Sequence, residues 1–404
     1  FAELRIPLFV DSWLGRSAEI SGAYRHSDYS HVGKQDTYSV LAQWRPVDQL
    51  MFRATTATAI RVPNLGETND PLSQTFANGF SDPCSATVIN NLANPQIRTN
   101  RIANCGTLAT QAGLPGLVFS DPSSPNAYLP NYGSGSVSGL SGGNPFLKPE
   151  TSESFTFGAV WTPDYLLPNL SIVLDYYDIE INDAIAAVSA QNAANQCVSG
   201  DQVNTAVCLT QTRNPSTFLV TSFIQGSLNY ASLTAKGLDF TARYSFDLPE
   251  WFGTNWGTFS HSLRGNWLIE QNDYVNIVDP TDPSIFADTV GMPRVRFLST
   301  VNWAPTPDLA FSWDWDWQAS QEIDDLNNLT ANLDRYEDLR YSQTGDFSQH
   351  DFSVRWQARD NVTIRAGVVN AFDAEPARWM GGTSADNFEL FGRRFFLSVN
   401  YRPF

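Results

Sequence analysis

The sequence repeats one pattern: apolar and polar side chains alternate, residue by residue, over runs of about ten residues. The clearest run is Leu309–Gln318. Leu309, Phe311, Trp313, Trp315 and Trp317 fall on one side, and Ala310, Ser312, Asp314, Asp316 and Gln318 on the other. A period of two is the period of a β-strand whose faces meet different surroundings. The same alternation places Phe155, Phe157, Ala159 and Trp161 together, then Leu238, Phe240, Ala242, Tyr244 and Phe246. It recurs in Phe352, Val354 and Trp356, in Val362, Ile364, Ala366 and Val368, and in Phe395, Leu397, Val399 and Tyr401. Runs of this length suit a tilted strand crossing a bilayer. No stretch approaches the ~18 consecutive apolar residues of a membrane helix.

Thirteen strands are expected, over residues 2–10, 16–28, 36–46, 49–60, 151–162, 169–181, 232–247, 256–271, 291–304, 308–320, 348–358, 361–371 and 393–402. The connections alternate in length. Short ones fall at 11–15, 47–48, 163–168, 248–255, 305–307 and 359–360, several marked by Pro or Asp. Mostly long ones fall at 29–35, 61–150, 182–231, 272–290, 321–347 and 372–392. Short turns on one side and long loops on the other are the sidedness of outer-membrane barrels, whose short turns are periplasmic. A soluble sandwich has no reason for that split.

Direction then follows. The last strand leaves a long loop and runs toward the short-turn side, and the first of the thirteen, twelve reversals earlier, does the same. Bacterial single-chain barrels have even strand numbers. The expectation is an all-β, transmembrane, antiparallel up-and-down barrel of which residues 1–404 supply only a part, with an odd number of strands missing on the N-terminal side. The chain opens on a strand-like run from Phe1 to Phe9 with no export signal, so an upstream precursor segment is expected.

Net charge is −17, which argues against a nucleic-acid partner. The aromatic share is 13%, as strands and interface belts favour. Cysteines come in two local pairs, Cys84 with Cys105 and Cys197 with Cys208. They suggest two disulfides in an oxidising compartment. The alternative is four free thiols in a reducing one; no zinc spacing is present. Segment 61–150 is rich in Gly, Pro, Ser and Asn, Ala184–Asn195 reads as a short helix, and 214–229 as a loop hairpin or the upper part of a strand.

Several segments, in order, resemble the C-terminal barrel of TonB-dependent outer-membrane receptors. Phe52 to Arg61-Val-Pro63-Asn-Leu-Gly-Glu67 is similar to the family's strand ending in Arg-x-Pro before a long outer loop. Gly143-Asn-Pro-Phe-Leu147-Lys148-Pro149-Glu150-Thr-Ser152 is similar to its return into the membrane. Val173-Leu-Asp175-Tyr176-Tyr177-Asp-Ile179 followed by Ile185, Gly237-Leu-Asp239, Val369-Asn370-Ala371-Phe372-Asp373 and terminal Phe404 continue the series. Pro403 departs from the pattern by putting Phe404 out of phase with the preceding strand. The resemblance covers the whole chain and implies a 22-stranded barrel around an N-terminal plug, with plug and nine strands upstream. It implies partners: outer-membrane lipid, the chain's own plug and strands, and TonB through a segment outside this sequence. It also implies active transport in the outer membrane of a Gram-negative bacterium, with loops extracellular and the C-terminus periplasmic. Ser81-Asp-Pro-Cys84 and Arg101-Ile-Ala-Asn-Cys105 resemble loop motifs of receptors that take up plant and algal carbohydrates. An oligosaccharide is therefore the preferred ligand and a ferric siderophore the next; the negative charge leans the same way, since many ferric siderophores are anionic. A passive porin or structural barrel is the second reading, and a soluble extracellular β-protein such as an adhesin the third.

No catalytic constellation, cofactor motif or metal spacing is present. His26, His31, His261 and His350 are scattered, and Gly133-Ser-Gly-Ser-Val lacks the strand–turn–helix setting of a nucleophile elbow. The acidic stretch from Glu322 to Asn328 does not match a calcium loop. Candidate ligand contacts are the loop aromatics and arginines Tyr128, Tyr132, Arg335, Tyr336, Tyr341, Arg378 and Trp379, since sugars stack on rings and carboxylates pair with Arg. Interface or loop packing would also explain each. The inward face is expected to carry Arg25, Arg45, Arg53, Arg243, Arg264, Arg355 and Arg365 with Glu19, Asp175, Asp239, Asp314, Asp316 and Asp351, satisfying one another. Trp313, Trp315 and Trp317 are expected to face lipid.

Overall fold

A computed structural model describes residues 1–133, 135–249, 256–275, 283–322, 343–376 and 388–403. Strand β1 (Ala2–Ser12) turns through two residues into β2 (Gly15–Tyr29), which is followed by β3 (Gly33–Val47) and β4 (Leu50–Arg61). A long loop then holds α1 (Leu65–Asn69), β5 (Ser73–Asn78), α2 (Ala86–Asn90), α3 (Pro95–Gln111) and β6 (Ser136–Ser141). The wall resumes with β7 (Glu150–Trp161) and β8 (Ser171–Val188). A second loop holds α4 (Ala190–Ser199), α5 (Thr205–Cys208) and β9 (Gln211–Arg213) before β10 (Val220–Asp247). The rest is β11 (Thr258–Tyr274), the short β12 (Ser284–Ile285), β13 (Val295–Thr306), β14 (Leu309–Gln318), β15 (Phe347–Arg359), β16 (Val362–Val369) and β17 (Arg394–Tyr401).

Setting aside the four short loop strands β5, β6, β9 and β12, thirteen of the seventeen strands among the described residues form the wall, as the alternation predicts. They pair antiparallel in chain order, from β1–β2 through β4–β7, β8–β10 and β11–β13 to β16–β17. Among the described residues both β1 and β17 pair on one side only, and the sheet is not closed. No described helix is long and apolar enough to cross a membrane.

Register carries the alternation across the sheet. Trp313 stands opposite Val301 and Phe352, while Asp314 stands opposite Thr300 and Asp351. One face is therefore apolar and aromatic over many strands. Its rings meet across the ladders, with Phe52 5.9 Å from Trp44 and 6.2 Å from Phe157, and Phe297 5.2 Å from Trp317. This face is uncovered: Phe157 is 45% exposed and Trp313 36%. A soluble sandwich would bury it, because large exposed apolar areas carry the full cost of hydration. An apolar face turned to lipid carries no such cost.

Two loop readings need adjusting. Ala184–Val188 is strand, not helix: it continues β8 and pairs with Gly226–Ala231 of β10. The helix starts at Ala190, with the Ser189 side chain accepting from Asn192 N at its N-terminus. Alanine's helix preference is worth tenths of a kcal/mol per residue, and a continuing ladder outweighs it. Segment 214–229 proves to be the upper part of a strand from Val220 onward.

The packed core lies in the loops, not behind the wall. Cys84, Ile89, Cys105, Ala109, Phe119, Tyr128, Cys197, Val198 and Phe218 form its largest buried cluster. Both expected disulfides are present, Cys84–Cys105 and Cys197–Cys208, and no cysteine is free. Each closes a short loop and restricts the unfolded chain by about 3 kcal/mol.

Candidate functional site

The first long loop is tied down where it leaves and rejoins the wall. Arg61 ends β4 and Glu150 begins β7, directly opposite in the ladder. The guanidinium donates to both carboxylate oxygens of Glu150, at 2.6 and 2.7 Å, and to Glu67 at 3.1 Å. Glu67 in turn accepts from Asn64 N while the Asn64 side chain accepts from Glu67 N, a reciprocal cap that starts α1. The Arg-x-Pro and Pro-Glu segments thus act as one clamp.

Above the clamp the loops 61–150 and 182–231 fold against each other. Asn104 Nδ2 donates to Val198 O and Gly200 O, Arg101 Nε to Ser199 Oγ, and the Gln191 amide exchanges two hydrogen bonds with the Ser81 backbone. At the centre sits Asp82, 2% exposed. It accepts from both terminal nitrogens of Arg213 at 2.9 Å, from Tyr128 Oη at 2.8 Å, from Tyr132 Oη at 2.9 Å and from Cys84 N at 3.0 Å. Burial alone would raise its carboxyl. Arg213 and these donors outweigh burial and hold it below the ordinary carboxylate range. Burial and the neighbouring Asp82 raise both tyrosine hydroxyls. Phe218 completes the centre: its ring lies 4.5 Å under the Arg213 guanidinium, and its carbonyl accepts from Arg213 and Tyr128. Its φ of 63° is strained for a bulky residue and is held by these contacts.

Where this unit meets the strand ends there is a cleft of about 400 Å³. Gly66, Glu67, Asp70 and Pro71 line it from α1 and the residues after it, Ser73 from β5, Ser141 and Gly142 from the end of β6, Ala187 from β8, and Gly226 and Ser227 from β10. Two carboxylates and three hydroxyls thus face a space with no basic residue in its lining. Glycine is needed for the approach: a Cβ on Gly226 would stand 2.8 Å from Gly142 O. Such a lining accepts hydrogen bonds from hydroxyl-rich molecules, and Asp70 is its one carboxylate without an ion pair among the described residues, since Arg61 already pairs with Glu67.

Of the residues expected to touch ligand, Tyr128 and Tyr132 come together, but on Asp82 in the loop core. Arg335, Tyr336, Tyr341, Arg378 and Trp379 lie outside the described residues, as do Asp324, Asp325, Asn327 and Asn328. The cleft residues escaped the sequence reading because they come from five separate segments. Glu67 and Gly143 bound the two motifs that flank the cleft, and that was the signal available. The described residues bring together no group of three His, Cys, Asp or Glu suited to a metal ion.

On the polar face Arg53 and Asp175 of the expected set pair with each other, while Glu19 and Asp316 meet Arg5 and Arg296, which lie outside that set. Arg53 forks onto Asp175 at 3.0 and 2.6 Å, and Arg296 onto Asp316 at 3.3 and 2.8 Å. Gly158 makes room for the first pair, since a Cβ there would fall 2.0 Å from Asp175 Oδ1.

The family model described as TonB dependent receptor-like, beta-barrel matches residues 1–371. No curated protein matches the chain in sequence. Among solved structures it is similar to the siderophore receptor PirA from Acinetobacter baumannii, at 17% identity and a TM-score of 0.56, covering 95% of this chain and 43% of that one. It is also similar to a mutant of the ferric enterobactin receptor PfeA from Pseudomonas aeruginosa in complex with enterobactin, at 14% identity and a TM-score of 0.56, again covering 95% and 43%. The chain therefore spans less than half the length of these structures. At such identities the likeness is one of fold.

Proposed function

The chain belongs to the TonB-dependent receptor-like β-barrel family, and from that premise we propose that it is part of an outer-membrane receptor that actively imports a scarce nutrient, an oligosaccharide in preference to a ferric siderophore. It is a transporter reading, not an enzymatic one. The apolar face meets outer-membrane lipid, the long loops are extracellular and the short turns periplasmic. In this reading a plug, further strands and a TonB-contacting segment complete the receptor.

The observation that carries the ligand class is the cleft. Its carboxylates, hydroxyls and glycine backbone suit the many hydroxyl donors of a sugar, and nothing in its lining attracts an anion. A net charge of −17 points the same way. Arg335, Tyr336, Tyr341, Arg378 and Trp379 supply stacking and polar contacts from the other loops. Tyr128 and Tyr132 serve the site by holding the two loops in register through Asp82.

The test is calorimetric binding to the intact receptor, with plant and algal oligosaccharides against ferric enterobactin. An oligosaccharide should bind, and Asp70→Asn should weaken it at least about tenfold, the worth of one hydrogen bond to a charged group. Tight binding of ferric enterobactin with no oligosaccharide binding overturns the ligand class.

A further inference from the structure

Three strands depart from the charge pairing seen elsewhere on the polar face. Arg5 meets Glu19 at 2.6 Å, Arg53 meets Asp175 at 2.6 Å and Arg296 meets Asp316 at 2.8 Å. At their short-turn ends β15–β17 bring arginines to face one another instead, while Arg394 at the other end of β17 pairs with Glu389 at 2.7 Å. Arg355 stands directly opposite Arg365 in the β15–β16 ladder, and neither forms an ion pair among the described residues. Arg402, whose backbone N–H donates to Asn361 O, lines the same cavity, of about 530 Å³. Thr363, Ser398 and Asn400 add hydroxyl and amide groups to its wall. Asp360 is the single carboxylate in the lining. The cavity lies at the Asp360–Asn361 turn, at the end of the strands away from the long loops.

Like charges directly opposite in a ladder destabilise a sheet. Three guanidinium groups around one cavity are costly unless an anion shares them, and their paired N–H donors match the oxygens of a carboxylate or phosphate. We propose that this cavity is an oxyanion site, gripped by Arg355 and Arg365 with Arg402 completing the charge. The oxyanion is a free small carboxylate or phosphate. This site stands apart from the ligand cleft and does not rest on the ligand class argued for it.

The sign of a substitution is the test. Arg355→Gln and Arg365→Gln, singly and together, are compared with wild type in the intact receptor by thermal midpoint at low salt. With an anion in place each substitution lowers the midpoint, and 1 M salt shrinks the difference. With no anion each removes repulsion, and the midpoint rises or stays level. Calorimetry with inorganic phosphate and with citrate separates the sources. Saturable binding lost in the double variant assigns a free anion. A salt-sensitive fall in midpoint without binding of either means that the arginines pair with a carboxylate of the receptor's own plug, and overturns the proposal. Arg402→Gln, outside the ladder, guards against a failure of assembly and should weaken whichever signal appears. A midpoint that rises or stays level, together with no binding of phosphate or citrate, overturns the proposal.

Discussion

Asp82 shows how much depends on a single side chain. It is buried and holds Arg213, Tyr128 and Tyr132 at once, so it joins both long loops. Removing one member of a buried, hydrogen-bonded charge pair costs about 3–5 kcal/mol, because the other charge is left unpaired. Asp82→Asn should therefore loosen the loop unit while leaving the wall assembled, seen as faster hydrogen exchange at residues 82–128 with the wall amides unchanged. The pH dependence has a definite sign. The folded carboxyl titrates below its unfolded value, so its contribution is present above about pH 4 and is lost as pH falls through the lower folded value. Loop exchange should accelerate only in that acid range. At this scale the sequence was partly readable. The cysteine pairs were evident from their spacing, but Asp82 and Arg213 are 131 residues apart and only folding brings them together. Tyr128 and Tyr132 were recognised as notable for the same reason that they look like ligand contacts: a ring with a hydroxyl serves a buried network equally well.

Strands were the most readable elements, because a two-residue period is written directly into the chain and a slip of one residue would reverse both faces. The loop elements were less so. In Ala184–Val188 the local preference of alanine pointed to helix, while the decisive term was pairing with β10, which no local pattern encodes. Helix α3 was not foreseen, and its ends are set by local features, Asn94 capping the first turn and Pro95 following it. The assignment of faces makes a direct prediction. Phe157 stands on the apolar face beside Phe52, and Thr156 on the polar face opposite Tyr177. Phe157→Arg should cost about 2–4 kcal/mol in the membrane and sharply reduce the heat-modifiable, folded fraction of receptor. Thr156→Gln, one residue away, should assemble like wild type. Equal tolerance of both would contradict the facing.

At the scale of the whole molecule, the thirteen described wall strands end at β1 and β17, each paired on one side only among the described residues. Exposed edges invite pairing with further strands, and this fits a wall that other strands of the receptor complete. Counting strand direction was enough to anticipate an open sheet; the ligand was not legible in the same way, since the cleft is assembled from segments spread between Gly66 and Ser227. The central claim is energised import. The most direct measurement is accumulation of a labelled oligosaccharide, one that binds the intact receptor, by cells carrying that receptor, with and without a protonophore. Saturable accumulation that stops when the proton gradient is collapsed is the predicted result. Accumulation that is unsaturable and indifferent to the protonophore would make the barrel a passive pore and contradict the account.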